Sequence, residues 1–177
     1  MSPIFGATAS QVLRWAPSGA YDAIASTTLS ASAASITFSG IPSTYTHLQL
    51  RVLCGASTNA SVNYKLNSDG TATNYYYHRL QGDGSSAASA AGNLNRILDY
   101  AGTSTYFYGA VIDILDYASI SKNKTLRAIG GHDNNSNGLI GLYSNGWTNT
   151  AAVTTIDLYP DAGNFVTYSS FALYGIR

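Results

Sequence analysis

Residues 147–177 read W-T-N-T-A-A-V-T-T-I-D-L-Y-P-D-A-G-N-F-V-T-Y-S-S-F-A-L-Y-G-I-R. Val153, Thr155 and Asp157 fall in one phase, and Thr154, Ile156 and Leu158 in the other. Phe171, Leu173 and Gly175 alternate in the same way with Ala172, Tyr174 and Ile176. A period of two marks a strand buried on one face. Pro160-Asp161-Ala162-Gly163-Asn164 between the two runs is a turn by composition. The expectation is a pair of strands around that turn, with Ile156, Leu158, Phe171 and Leu173 in the core and the last strand closing the sheet.

The same period recurs upstream. Strands are expected over 21–29, 35–38 and 47–54, the last with Leu48, Leu50, Val52 and Cys54 inward and His47, Gln49 and Arg51 outward. Val62, Tyr64 and Leu66 repeat the pattern and run into Asn67-Ser68-Asp69-Gly70, a turn signal. Further strands are expected at 75–80, 106–117, 125–131 and 139–144. Residues 95–98 are short and ambiguous. The Ser/Ala/Gly run from Gly82 to Gly92 has little apolar bulk and reads as an exposed loop. Many short strands, Gly- and Asn-rich turns and no helical period give an all-β chain, an antiparallel β-sandwich of jelly-roll type. Residues 1–19 break the pattern and read as an N-terminal arm ahead of the sandwich at 20–177. Phe5, Leu13, Arg14 and Trp15 are its candidate contact residues.

Composition narrows the function classes. A chain of 177 residues is long enough for one domain with a full core. Charged residues are 10% of it, with nine basic and nine acidic side chains and no net charge, against a usual share of about 25%. Fourteen tyrosines stand beside abundant Ser, Thr, Asn and Gly, so the surface is wettable but electrically quiet. That suits a protein packed into an assembly. The scattered basic residues argue against nucleic acid as a partner, and no apolar run reaches the ~20 residues that span a membrane. Met1-Ser2-Pro3-Ile4-Phe5 does not open a secretory signal. Cys54 stands alone and reads as a small buried hydrophobe from a reducing compartment.

The residues that could carry chemistry do not assemble by spacing. His47, His78 and His132 lack any metal-ligand interval, so no metal and no cofactor are expected. Asp113 and Asp116 point to opposite faces of a strand and cannot form an acid pair. Ser119 and Lys122 match S-x-x-K, but in a loop, where the helical turn that joins such a pair is missing. The turns at 67–70 and 132–138 offer oxygen atoms without a full calcium ladder. No catalytic residues are expected. Tyr75, Tyr76, Tyr77 and Trp147 carry more weight, since exposed rings stack on sugars or anchor interfaces. Three successive tyrosines place at least one ring on each face, and Trp147 is expected in a turn after Asn145-Gly146.

Three blocks carry a family likeness. Residues 35–51, S-I-T-F-S-G-I-P-S-T-Y-T-H-L-Q-L-R, resemble the opening of small β-sandwich virion proteins of tailed bacteriophages. Residues 74–86, N-Y-Y-Y-H-R-L-Q-G-D-G-S-S, resemble a second block of those proteins, and 152–176, ending F-A-L-Y-G-I, a third. The resemblance implies a structural particle component that decorates the capsid or sits in the tail. The expectation is a capsid decoration (cement) protein, assembled in the host cytoplasm as a homotrimer that clamps the major capsid protein. The alternative is a tail or fibre module that binds a host glycan through loops bearing Tyr75–Tyr77, Trp147 and the Gly82–Gly92 segment. A polysaccharide-cleaving enzyme is the third reading, with no acid/base set to support it.

Overall fold

The computed structural model describes residues 19–134 and 137–177. Among these residues twelve strands form two antiparallel sheets: β1 (Tyr21–Thr28), β2 (Ile36–Phe38), β3 (His47–Cys54), β4 (Val62–Leu66), β5 (Tyr75–Gly82), β6 (Ala87–Gly92), β7 (Arg96–Leu98), β8 (Tyr108–Leu115), β9 (Lys124–His132), β10 (Leu139–Trp147), β11 (Ile156–Pro160) and β12 (Ser170–Ile176). The larger sheet has eight strands in the order β1-β12-β3-β8-β9-β10-β5-β6, the smaller four in the order β2-β11-β4-β7.

The connectivity becomes simple once the hairpins β5–β6 and β9–β10 are set aside. In the chain that remains, the first strand pairs with the last, β1 with β12, and the second with the last but one, β2 with β11. β3 then pairs with β8, and β4 with β7. This is one long folded ribbon whose arms alternate between two sheets, the jelly roll expected from the strand pattern. The two hairpins lengthen the larger sheet alone, adding β9, β10, β5 and β6 beyond β8.

Alternation builds the core. Leu48, Leu50, Val52 and Cys54 of β3 and Ile112 and Ile114 of β8 face Tyr64 and Leu66 of β4 and Ile156 and Leu158 of β11, all buried. Phe171 and Leu173 of β12 complete the contact, as the terminal stretch predicts. At about 25 cal/mol per Å² of apolar surface removed from water, these rows supply the main drive for folding.

Two expectations from the terminal stretch change. β11 and β12 do not pair with each other: β11 lies between β2 and β4, and β12 between β1 and β3. Residues 161–169 cross between the sheets, and the buried Phe165 pins the crossing through bridges to Ala33 and Ala56 and an edge contact with Phe171 at 4.9 Å. Alternation gives a strand its inward face but not its neighbour, so the hairpin reading had no long-range information behind it. The last strand is also interior to its sheet rather than an edge. Likewise the Gly82–Gly92 loop is a tight turn followed by β6, which pairs with β5 from Tyr77↔Gly92 to Gly82↔Ala87. Small side chains concealed that strand because its pairing is made by the backbone.

One buried charge organises the end of the sandwich below β9. The Lys124 side chain is fully buried, and its Nζ donates to the carbonyl oxygens of Ser119, Lys122 and Thr150 at 2.7, 2.8 and 3.1 Å. All three ammonium donors are used, which offsets the cost of removing the charge from water. The contact ties the β8–β9 turn to the segment after β10, and burial pushes the lysine pKa down. Replacing Lys124 by Met would keep much of the volume and strand three buried acceptors. Lys124→Met is expected to lower the unfolding free energy by about 3 kcal/mol, read from the midpoint of urea denaturation at unchanged slope; a midpoint equal to wild type would show that the ammonium contributes nothing net.

Candidate functional site

The sequence-selected aromatic residues separate cleanly. Trp147 does not lie in a turn; it ends β10 and is buried, stacked on Tyr75 with ring centroids 6.5 Å apart. Its indole Nε1 donates to Asp69 Oδ2 at 2.8 Å. The Tyr75 hydroxyl donates to the Asp69 carbonyl at 2.9 Å and accepts from the Leu66 amide at 3.1 Å, while its ring meets Tyr64 edge-on. Tyr77 is also buried, with the Arg96 guanidinium over its ring at 5.9 Å. Only Tyr76 faces out, lying flat against Gly146, where a Cβ would overlap the ring. Three of the four rings are therefore core, because β5 and β10 have their inward phase at Tyr75, Tyr77 and Trp147. Phe5, Leu13, Arg14 and Trp15 lie outside the described residues.

The other candidates have ordinary partners. Asp113 accepts from Gln49 Nε2 at 2.9 Å, whereas Asp116, in the turn after β8, takes Lys122 Nζ at 2.7 Å and lies 3.7 Å from His47 Nδ1. Asp116 has its pKa lowered by the Lys122 bond and charge. That bond also commits Lys122 away from Ser119, whose hydroxyl meets Ser121 instead. In the 67–70 turn the oxygens are spent internally: Asn67 Oδ1 accepts the Thr154 amide, and Asp69 takes Thr71, Asn74 and Trp147. His132 stacks on Tyr100 at 4.6 Å, and burial lowers its pKa. Among the described residues no group of three or more His, Cys, Asp or Glu could hold a metal ion.

The outer face of the larger sheet carries the feature that sequence reading passed over. Register places Arg51, Val111, Ile129, Leu142 and Leu80 in one row across β3, β8, β9, β10 and β5. Ile129 and Leu142 are each 50% exposed, Leu80 54% and Val111 37%. Leu53 and Ile140, 47% and 60% exposed, stand in the adjacent row, which is otherwise glycine at Gly109, Gly131 and Gly82. A shallow depression of about 630 Å³ runs between the aliphatic row and the polar side chains His78, Asp113, Arg127 and Ser144 on its other side. A connected aliphatic patch facing water marks an interaction surface.

The next row is polar: Gln49, Asp113, Arg127, Ser144 and His78. Ser144 and His78 are cross-strand neighbours. Asp113 lies on the far side of Arg127 from both, bonded to Gln49, so the order along the row separates the acid from the histidine it would have to orient. Towards β1 the face changes character again. Arg51 lies over the rings of Tyr174 and Tyr21 at 4.7 and 5.3 Å, and its Nε donates to Gln49 Oε1 at 3.0 Å. The site is therefore an aliphatic strip on β8, β9, β10 and β5, bordered by a polar row and a tyrosine-clamped arginine. Leu53, Val111, Ile129, Leu142 and Leu80 were detectable in sequence as large apolar residues in the outward phase of otherwise alternating strands.

No known protein family, curated protein or solved structure matches the chain.

The Asp69 cluster gives a pH test. The Asn74 and Trp147 hydrogen bonds hold the Asp69 carboxyl down at about 2. A carboxylate whose folded pKa is depressed adds stability above its unfolded value of about 4 and loses it as pH falls towards the folded value. Thermal melts of wild type should therefore drop between pH 4 and pH 2 more steeply than those of Asp69→Asn, in which this group no longer titrates. Parallel curves in that window would mean that the Trp147 tie has no energetic weight.

Proposed function

We propose that this chain is a structural, non-enzymatic virion protein of a tailed phage, a decoration protein that attaches to the shell through the outer face of its larger sheet. The exposed aliphatic row Val111, Ile129, Leu142 and Leu80 carries the reading. Val111 and Ile129 are β-branched, Leu80 and Leu142 have only two side-chain torsions, and all four stand on a paired sheet, so covering them costs modest conformational entropy and gains hydrophobic free energy. The polar row beside them, with Asp113, Arg127 and His78, supplies register and a wettable rim, the usual make-up of a protein–protein contact. The major capsid protein is the partner this reading names. Low overall charge is consistent with dense packing on a particle, where like-charged neighbours would repel.

The glycan-binding alternative loses most of its platform. Sugar stacking needs accessible ring faces, and Tyr75, Tyr77 and Trp147 are buried. An aliphatic strip offers sugars little, whereas it matches an apolar protein surface well.

The test uses particles made from the genome that encodes the chain. Quantitative mass spectrometry should find it in purified particles at hundreds of copies for a decoration protein. Ile129→Asp with Leu142→Asp should remove it from them while leaving the circular dichroism and melting of the purified protein within a few degrees of wild type. Absence of the wild-type chain from purified particles would end the virion reading, and full incorporation of the double variant would end the role of this face.

A further inference from the structure

The two sheets expose four edges, and three of them are blunted. β2 and β7 are only three residues long, and β1 carries a register shift between Ala23 and Ala25. Short strands and bulges are the usual means of keeping a sheet edge from recruiting another chain. β6 has neither device. Its six residues, Ala87-Ala88-Ser89-Ala90-Ala91-Gly92, pair with β5 in unbroken register and include no charge and no proline. Alanine and glycine are weak strand formers, and here these residues are mostly exposed and, among the described residues, hydrogen-bonded in a ladder with β5 alone.

The free backbone groups can be assigned. The Asp83 amide donates to the Ser86 carbonyl at 3.2 Å, which makes 83/86 a bonded pair of the hairpin. Bonded and non-bonded pairs alternate along an antiparallel ladder. The bonded pairs are then Gln81/Ala88, Arg79/Ala90 and Tyr77/Gly92, and Ala87, Ser89 and Ala91 turn their N–H and C=O groups away from β5. The sequence across those positions, A-A-S-A-A, reads the same in both directions about Ser89. A two-fold interface has to be self-complementary, and this segment is.

We propose that β6 is a dimerisation edge, at which two copies of this chain pair antiparallel through Ala87–Ala91 about a two-fold axis at Ser89. Each outward N–H and C=O then gains a partner, Ser89 faces its equivalent, and every alanine meets an alanine, so no charge or large side chain is buried. The pairing also aligns the exposed rows of the two larger sheets, since Leu80 is the direct neighbour of Ser89 on β5. Two strips of Val111, Ile129, Leu142 and Leu80 become one. The edge contact needs no shell and does not depend on the outer-face reading above; it yields two-fold pairs rather than the three-fold assembly expected from family resemblance.

Sedimentation velocity of the full-length purified chain over a concentration series tests it, with circular dichroism as the folding control. Wild type is expected to dimerise. Ser89→Pro removes an outward amide that β5 does not use, and Ser89→Lys places two ammonium groups across the axis; each should weaken dimerisation by about tenfold or more with the fold retained. In a bonded antiparallel pair the two Ser89 Cα atoms would sit about 5.5 Å apart, within disulfide range. Ser89→Cys should therefore oxidise to a covalent dimer, while Ser85→Cys in the turn should not; the native Cys54 is buried. A wild-type chain that stays monomeric, together with Ser89→Cys that cross-links no faster than Ser85→Cys, would overturn the proposal. So would a dimer that survives both Ser89 variants and instead dissociates on Ile129→Asp, which would move self-association to the outer face.

Discussion

The placement of β12 between β1 and β3 is the constraint on which the rest of the structure depends. The larger sheet is continuous only once residues 170–176 have bridged strands that begin at Tyr21 and His47. Phe171 and Leu173 then cover the core from that side. The smaller sheet has the same dependence, because β11 joins β2 to β4. Pairings of such long sequence separation pay loop-closure entropy before they return any contact energy, which makes this a slow-folding topology.

The two inserted hairpins change what this scaffold can do. β9–β10 and β5–β6 extend the larger sheet beyond β8, and the smaller sheet covers their inner face: Tyr64 of β4 meets Tyr75 of β5 edge-on at 5.2 Å and its hydroxyl donates to the Gly146 carbonyl at 3.4 Å. Beside β7, the edge strand of the smaller sheet, the Asp99 carboxylate is buried and accepts from Arg79 and, at 3.3 Å, from Arg96, which also reaches Asp161 at 3.5 Å. The inner face of the two hairpins is thus closed by β4, β7 and these ion pairs. Their outer face is where the aliphatic strip lies, and their far edge is β6. Every surface feature that points to a partner thus belongs to the extension or to its junction with β8, while the eight-strand roll supplies rigidity.

Sequence and structure agree where side-chain phase carries the information. The inward rows of β3, β4, β8 and β12 were legible from alternation, and so was the division of Tyr76 from Tyr75 and Tyr77. Reading failed at two kinds of place. β6 consists of residues too small to show a phase. Trp147 follows Asn145-Gly146, which reads as a turn, but Asn145 bonds to the Arg96 carbonyl and Gly146 makes room for the Tyr76 ring, so both serve inside a strand. The candidate site was legible only in part: its aliphatic residues are visible as breaks in alternation, but they become a strip through the register of four strands.

The sequence by itself determined the class of the molecule. Period-two burial, turn chemistry and low charge are local properties, and they are enough to require a β-sandwich with a quiet surface. Tertiary structure decided the partners: which strand lies beside which, which rings are buried, and which apolar residues meet on the outside. Those outcomes depend on contacts between residues far apart in the chain, such as Trp147 with Asp69 or Leu80 with Leu142, and no local pattern encodes which distant segment a strand will choose.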